Sequence, residues 1–299
     1  MSKSAKRVWK TFAAIYLVAA GFVVLGCSRN APHDSQTSAK LRIVSLAPSV
    51  TEILFALGSG DSLVGATDHC DFPPEALSIQ RVGGFGTPNV EKLLALRPDL
   101  VIAAGIEREE VAEVLRRSGI RVLDVPIRNF AELFHAIRQI GQAANAAPKA
   151  ESVVAHMQAE LETIASRDRH AQPGQRPKVF VEIGGRPLMT AGRNSFLDDL
   201  ITRAGGVNVA HEISQSYTSI NPEKVIEWNP DIIIVAPMGR PGDAAVQLSQ
   251  RIGWADISAV KNGRVIDDIN PDLLFRPGPR LIDGVKAMAA RLHKPEGKL

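Results

Sequence analysis

The 299-residue chain is predicted to be α/β: two Rossmann-like lobes, each on a central, mostly parallel sheet, bridged by one long α-helix. Three observations predict this. Short apolar runs alternate with helical patterns in both halves, as in parallel strands joined by crossover helices. A segment recurs, with Asn89, Glu91, Lys92, Pro98 and Asp99 matched by Asn221, Glu223, Lys224, Pro230 and Asp231, each pair 132 residues apart. Each copy reads as an N-capping Asn, a short helix, a Pro-Asp turn and a buried strand, so the two halves share one plan. Between the copies, from Pro148 to about Arg169, neither Gly nor a further Pro interrupts, and Val153, Val154, Met157, Leu161 and Ile164 fall on one helical face. A helix of about 20 residues spans roughly 30 Å, the width of a domain.

In chain order, residues 1–26 read as a signal peptide. Lys3, Lys6, Arg7 and Lys10 precede an apolar run from Thr11 to Gly26, too short for a membrane span. Val24-Leu25-Gly26-Cys27 resembles a lipobox, which makes Cys27 the expected lipidation site and membrane anchor. The protein is thus expected to be exported and held at a membrane, in the periplasm or on the cell surface. Polar residues 27–40 read as a tether. The formal charge is +3, and removing the four cations of the leader leaves −1. No basic patch with interleaved aromatics remains, which disfavours nucleic-acid binding, and no nucleic-acid partner is expected. Two cysteines do not make a disulfide scaffold.

The first lobe, 41–146, carries strands at 42–48, 62–66, 100–104 and 122–125 and helices at 107–118 and 130–144. Ser49 and Glu52 have the spacing of a capping box opening a helix that ends at Gly58. The linking helix covers 147–170. The second lobe, 171–299, repeats the alternation: strands at 178–183, 231–236 and 263–267, helices at 195–204, 222–228, 243–251 and 279–292.

Two lobes suggest capture of a small molecule between them. The candidate segments are loops. Asp68-His69-Cys70-Asp71 offers His69, whose neutral imidazole is a metal ligand. Gly83-Gly84-Phe85-Gly86 holds an aromatic among glycines and lacks the spacing and lysine of a nucleotide loop. The segment 184–192 contains Met189. Phe85 and Tyr217 each lie six residues before a repeat glutamate, so opposed aromatics could sandwich a flat ligand. Asp272 and Arg276, four apart, pair either as a surface ion pair or around amide groups of a ligand, and Arg280 starts the last helix. Glu91 and Glu223 complement their helix dipoles and also form a matched pair of anions suited to a two-fold partner presenting arginines. A zinc or manganese site would need His69, Cys70, Asp71 and His211 to converge. No GxSxG or HExxH occurs, so no enzyme activity and no cofactor are expected.

On RIVSLAPSVTEILFALG, DHCDFPPEA, GGFGTPNVEKLLALRPDLVIAAG and RPGPR, residues 41–293 resemble the ABC-transporter substrate-binding lipoproteins for cobalamin, haem or ferric siderophores, with the cobalamin binders as the closest pattern. The resemblance implies a monomeric, non-enzymatic receptor that delivers a corrinoid to a permease and its ATPase. It implies docking through Glu91 and Glu223, and ligand contact through His69, Phe85, Met189, Tyr217, Asp272 and Arg276. A family tyrosine is His69 here, which could reach cobalt or iron, and one pocket tryptophan corresponds to Ala104. Haem or a ferric siderophore is the alternative, with Arg186, Arg193, Arg276 and Arg280 as cations. Zinc or manganese ranks below it.

Overall fold

The computed structural model describes residues 40–105, 109–168, 176–235 and 244–293. The leader, Cys27 and nearly all of the tether lie outside the described residues, as do the edges of several expected elements near 107, 169, 236 and 243.

The first half contains β1 (Ile43–Ser45), α1 (Pro48–Ala56), β2 (Leu63–Ala66), the hairpin β3 (Gly83–Gly84) and β4 (Thr87–Pro88), α2 (Val90–Ala95), β5 (Leu100–Ala103), α3 (Glu109–Arg117), β6 (Arg121–Asp124) and α4 (Phe130–Ala143). Helix α5 (Ala147–Asp168) follows. The second half contains β7 (Lys178–Glu182), β8 (Gly184–Gly185), β9 (Leu188–Ala191), α6 (Phe196–Arg203), β10 (Val207–Asn208), β11 (Tyr217–Ser219), α7 (Pro222–Trp228), β12 (Ile232–Val235), α8 (Ala244–Ser249), α9 (Ser258–Lys261), β13 (Val265–Ile266), α10 (Asp272–Phe275) and α11 (Leu281–Leu292). Two four-stranded parallel sheets result, ordered β2-β1-β5-β6 and β10-β7-β12-β13. The two orders are the same when each half is counted from its own first strand.

The repeat is a shared construction. Asn89 Oδ1 accepts the Lys92 N–H at 2.9 Å, and Asn221 Oδ1 accepts the Glu223 N–H at 3.0 Å. Each short helix ends near a left-handed residue, Arg97 at φ 46° and Asn229 at φ 45°. The aspartate that follows ties down the first strand of its own half. Asp99 Oδ2 accepts from the Arg42 N–H at 2.8 Å, and Asp231 Oδ2 accepts from the Lys178 N–H at 2.7 Å.

Each sheet is covered on both faces, as its uninterrupted apolar strands require. Side chains alternate along a strand, so Ile43, Leu100 and Ile102 point to one side and Val44, Val101 and Ala103 to the other. In the second sheet Val179, Val181, Ile232 and Ile234 oppose Phe180 and Ile233 in the same way. The first-named sets of both sheets belong to one continuous core, which also holds Phe130, Leu133 and Ile137 of α4, Val154, Met157, Leu161 and Ile164 of α5, Leu197 and Leu200 of α6, and Val285 and Met288 of α11. The long helix is therefore packed into both halves. It is not a bare rod between them.

Three expectations change. Ser49 and Glu52 form no capping box: Pro48 occupies the first helical turn, Ala47 is the N-cap without a side-chain bond, and both Ser49 and Glu52 are buried in α1. Residues 184–192 and 217–219, read as loop, form a small antiparallel sheet in the order β11-β9-β8. The Gly-rich segment at 83–88 is a hairpin whose two-residue turn is Phe85-Gly86.

Candidate functional site

The loop that carries His69 leaves the carboxyl end of β2, where parallel α/β sheets present ligand-binding loops. Arg81 organises it. Its Nη1 donates to the carbonyls of Thr67 at 2.9 Å and Cys70 at 2.8 Å, and Nη2 to that of Ala76 at 3.2 Å. Cys70 is fully buried, with Sγ 3.1 Å from the Thr67 hydroxyl, while its neighbour His69 is exposed. The Asp68 N–H donates to the Gly83 carbonyl at 2.9 Å, fastening this loop to the hairpin that presents Phe85. Gly83 has φ 105°, and a Cβ there would stand 2.8 Å from the Asn89 nitrogen, so this approach needs glycine. Phe85, at the hairpin tip, is 50% exposed.

In the second half, Tyr217 pairs with Ala191 and Ser219 with Met189 across β11 and β9. Directly opposed residues point to one side of a sheet, so Tyr217, Ser219, Met189 and Ala191 share a face. Helix α6 supports that face. Phe196 in its first turn meets the Tyr217 ring edge-on at 6.1 Å between centroids, and burial pushes the Tyr217 phenol up. The same turn carries Asp198, whose buried carboxylate accepts from Asn208 Nδ2 at 2.8 Å and lies 3.0 Å from His211 Nδ1. His211 is thus engaged by Asp198. Among the described residues no three His, Cys, Asp or Glu side chains gather as a metal site, and the four expected for zinc or manganese do not converge.

The two halves meet through charge. Arg276 forms an ion pair through Nε with Asp272 at 3.0 Å and donates from both Nη atoms to Asp71, with Nη2 to Oδ2 at 3.2 Å. Its Nη1 is also 3.9 Å from Glu52 Oε1. Arg280 holds Glu52 with two bonds, 2.9 Å from Nε and 2.6 Å from Nη2, and stacks 3.6 Å over the Phe72 ring. The Glu52 side chain is only 3% exposed. Arg276 holds the Asp71 carboxyl below its ordinary value of 3.8, against the opposing pull of partial burial. Burial alone would lower Arg276, but the bond to Asp71 and the charges of Asp272, Asp71 and Glu52 raise it above the usual guanidinium value. A groove of about 410 Å³ flanks this cluster, lined by Phe55, Phe72, Pro73, Pro279 and Arg280 among others.

Arg276 and Asp272 were expected as a pair, and they are one. The other partners, Asp71, Glu52 and Arg280, are not visible in the sequence as a cluster, because the two acids lie more than 200 residues from the two arginines they meet. Arg280 was read as the start of the last helix. It does occupy the N-cap of α11, and its side chain is also the clamp on Glu52. Glu91 and Glu223 are both exposed in the first turns of α2 and α7. Phe85 and Tyr217 make no ring contact with each other among the described residues.

A second tie joins the halves at α6. The Phe130 N–H at the start of α4 donates to Asp199 Oδ2 at 2.9 Å, and Arg203 pairs with Asp199 at 2.9 Å while lying 4.8 Å over the Phe130 ring.

Residues 43–270 match the periplasmic binding protein family. The chain belongs to this family. The chain is 34% identical over 257 residues to an uncharacterised ABC transporter substrate-binding lipoprotein, YvrC, of Bacillus subtilis, covering 84% of this chain and 80% of that protein. It is 32% identical over 254 residues to a vitamin B12-binding protein of Vibrio cholerae, covering 84% of this chain and 88% of the other. The crystal structure of a periplasmic haem-binding protein from Pseudomonas aeruginosa superposes with a TM-score of 0.76 at 30% identity, covering 86% of this chain and 94% of that one. This periplasmic binding protein is therefore a substrate-binding protein of the ABC-importer type, a solute receptor and not an enzyme. Among its described residues no helix is long and apolar enough to cross a membrane.

Proposed function

We propose that this receptor captures a corrinoid between its lobes and hands it to an inner-membrane permease and its ATPase. The observation that carries this reading is the pair of exposed aromatic platforms. Phe85 stands at a hairpin tip fastened beside His69, and Tyr217, 39% exposed and braced by Phe196, shares a sheet face with Met189. Exposed rings held by rigid backbone suit the broad face of a macrocycle. The similarity to a vitamin B12-binding protein supports a corrin as that macrocycle. Asp272 and Arg276 border the site as partners for its peripheral amides, and His69 is the metal-facing candidate. Glu91 and Glu223 serve as paired docking anions for arginines of the permease. Residues 1–26 direct export, and Cys27 carries the lipid that tethers a monomer to the membrane.

Calorimetric titration with cyanocobalamin tests the reading. Saturable one-to-one binding at micromolar or lower ligand is expected, weakened in Phe85→Ala and in Tyr217→Ala. Absence of heat at tens of micromolar ligand rejects it. Haem is the second reading, favoured by the haem-binding structural neighbour and by the exposed imidazole of His69. A Soret shift with hemin that disappears in His69→Ala would establish it.

A further inference from the structure

We propose that Asp71 is a specificity-determining residue: an internal carboxylate that pairs with Arg276 and selects neutral, amide-bearing ligands over carboxylate-bearing ones. The inference rests on the macrocycle reading above and deepens it.

Arg276 has five N–H donors, and the protein takes both edges of its guanidinium: Nε faces Asp272, and the two Nη atoms face Asp71. A ligand oxygen that meets the Nη edge of this arginine shares it with Asp71 or displaces it. The three nearby acids differ in how easily they leave. Glu52 is buried and held by Arg280. Asp272, one helical turn before Arg276 and 39% exposed, meets Nε as an ion pair and leaves the Nη edge to Asp71. Asp71 comes from the other half, on the loop next to His69, and its side chain is 49% exposed. Asp71 is therefore the most exposed of the three acids and the one seated on the Nη edge. It stands on the Nη atoms, the edge a ligand's polar group would use.

The charge count sets which group is welcome. Glu52, Asp71 and Asp272 against Arg276 and Arg280 leave one net negative charge. A neutral amide can accept from Arg276 beside Asp71 without adding charge. A ligand carboxylate has to enter next to an ionised Asp71 that stays ionised at neutral pH. At a separation of about 7 Å and an effective dielectric of about 20, one such repulsion amounts to about tenfold in affinity, once halved for the exposure of Asp71.

The test compares three probes on the full-length protein: cyanocobalamin, a cyanocobalamin monocarboxylate with one peripheral amide hydrolysed, and hemin. In the unaltered protein the amide form is expected to bind more tightly than the monocarboxylate. Asp71→Asn keeps a hydrogen-bond acceptor on Arg276 and removes the charge. It should shift the affinity ratio about tenfold toward the monocarboxylate and toward hemin, with cyanocobalamin changed less than about threefold. Asp71→Glu, which keeps the charge, should keep the original ratio. A ratio that is the same in the unaltered protein and in Asp71→Asn overturns the proposal, even if corrinoids bind well. Binding of hemin but of no corrinoid, with hemin still tightened by Asp71→Asn, removes the corrinoid reading and leaves the role of Asp71 standing.

Discussion

Glu52 offers the sharpest test of how the halves are joined. It lies in the middle of α1 with its side chain 3% exposed, and both of its oxygens are taken by Arg280 at 2.6 and 2.9 Å. Removing one member of a buried ion pair typically costs about 3–5 kcal/mol, because the surviving charge is left without its partner. Arg280 keeps 18% of its side chain in water and its stacking on Phe72, which puts Glu52→Ala at the lower end, about 3 kcal/mol. For a chain of this size about 2–4 °C of melting temperature is lost per kcal/mol, so calorimetry should show a fall of about 6–12 °C. Glu52→Gln retains one acceptor and should lose roughly half as much. The double variant Glu52→Ala/Arg280→Ala removes both charges and should be less destabilised than the sum of the single variants. Strict additivity, or a loss under about 1 kcal/mol in Glu52→Ala, would mean that the pair does not hold the halves together.

Four further outcomes follow from the same geometry. Arg81→Lys replaces a planar fork by a single ammonium that cannot reach the Thr67, Cys70 and Ala76 carbonyls together; a loss of about 1–3 kcal/mol is expected, with faster amide exchange at 67–76, and unchanged exchange would refute it. Gly83→Ala meets both φ 105° and the Asn89 nitrogen, so urea unfolding should register about 2 kcal/mol of destabilisation. Because Arg276 lowers the folded-state pKa of Asp71 below 3.8, the unfolded chain binds more protons in that window. The contribution is present above pH 3.8 and is lost as pH falls through the lowered value, so Asp71→Asn should flatten the stability curve below about pH 4. Small-angle scattering should show no measurable change in radius of gyration when ligand binds, whereas a contraction of a few Å would contradict the shared core.

Much of the fold is legible in the sequence because its signals are local. The 132-residue repeat shows itself through cap, turn and strand chemistry, and the structure gives two of the matched residues a role, Asn as cap and Asp as the anchor of the first strand, with the equivalent Arg97 and Asn229 both left-handed. The long helix shows itself by its period. The misread pieces are those whose partners are remote. Ser49 and Glu52 have capping-box spacing, yet Pro48 had already opened the helix, which left Glu52 free to serve a residue 228 positions away. The small sheet of β8, β9 and β11 escaped because two- to four-residue strands flanked by Gly and Pro carry too few alternating positions to show a period. Arg81 left no signal at all, since three carbonyl acceptors have no side-chain signature.

Free energies decide how such a receptor can respond to its ligand. Swinging the halves apart would strip the buried face of α5 from its neighbours, exposing Val154, Met157, Leu161 and Ile164. At about 1.5–3 kcal/mol for each side chain, this amounts to roughly 6–12 kcal/mol. The whole binding free energy of a micromolar ligand is about 8 kcal/mol, so ligand binding cannot sustain a large opening and closing cycle and still retain affinity. The two polar ties, Glu52 with Arg280 and Phe130 with Asp199, add to that resistance. What can move at low cost is the rim: the half-exposed Asp71, the Phe85 tip and the Tyr217 ring. On the proposed reading, recognition then falls to a few side chains on a fixed frame, and the exposed Glu91 and Glu223 belong to that frame. A partner that distinguishes loaded from empty receptor has to read the rim.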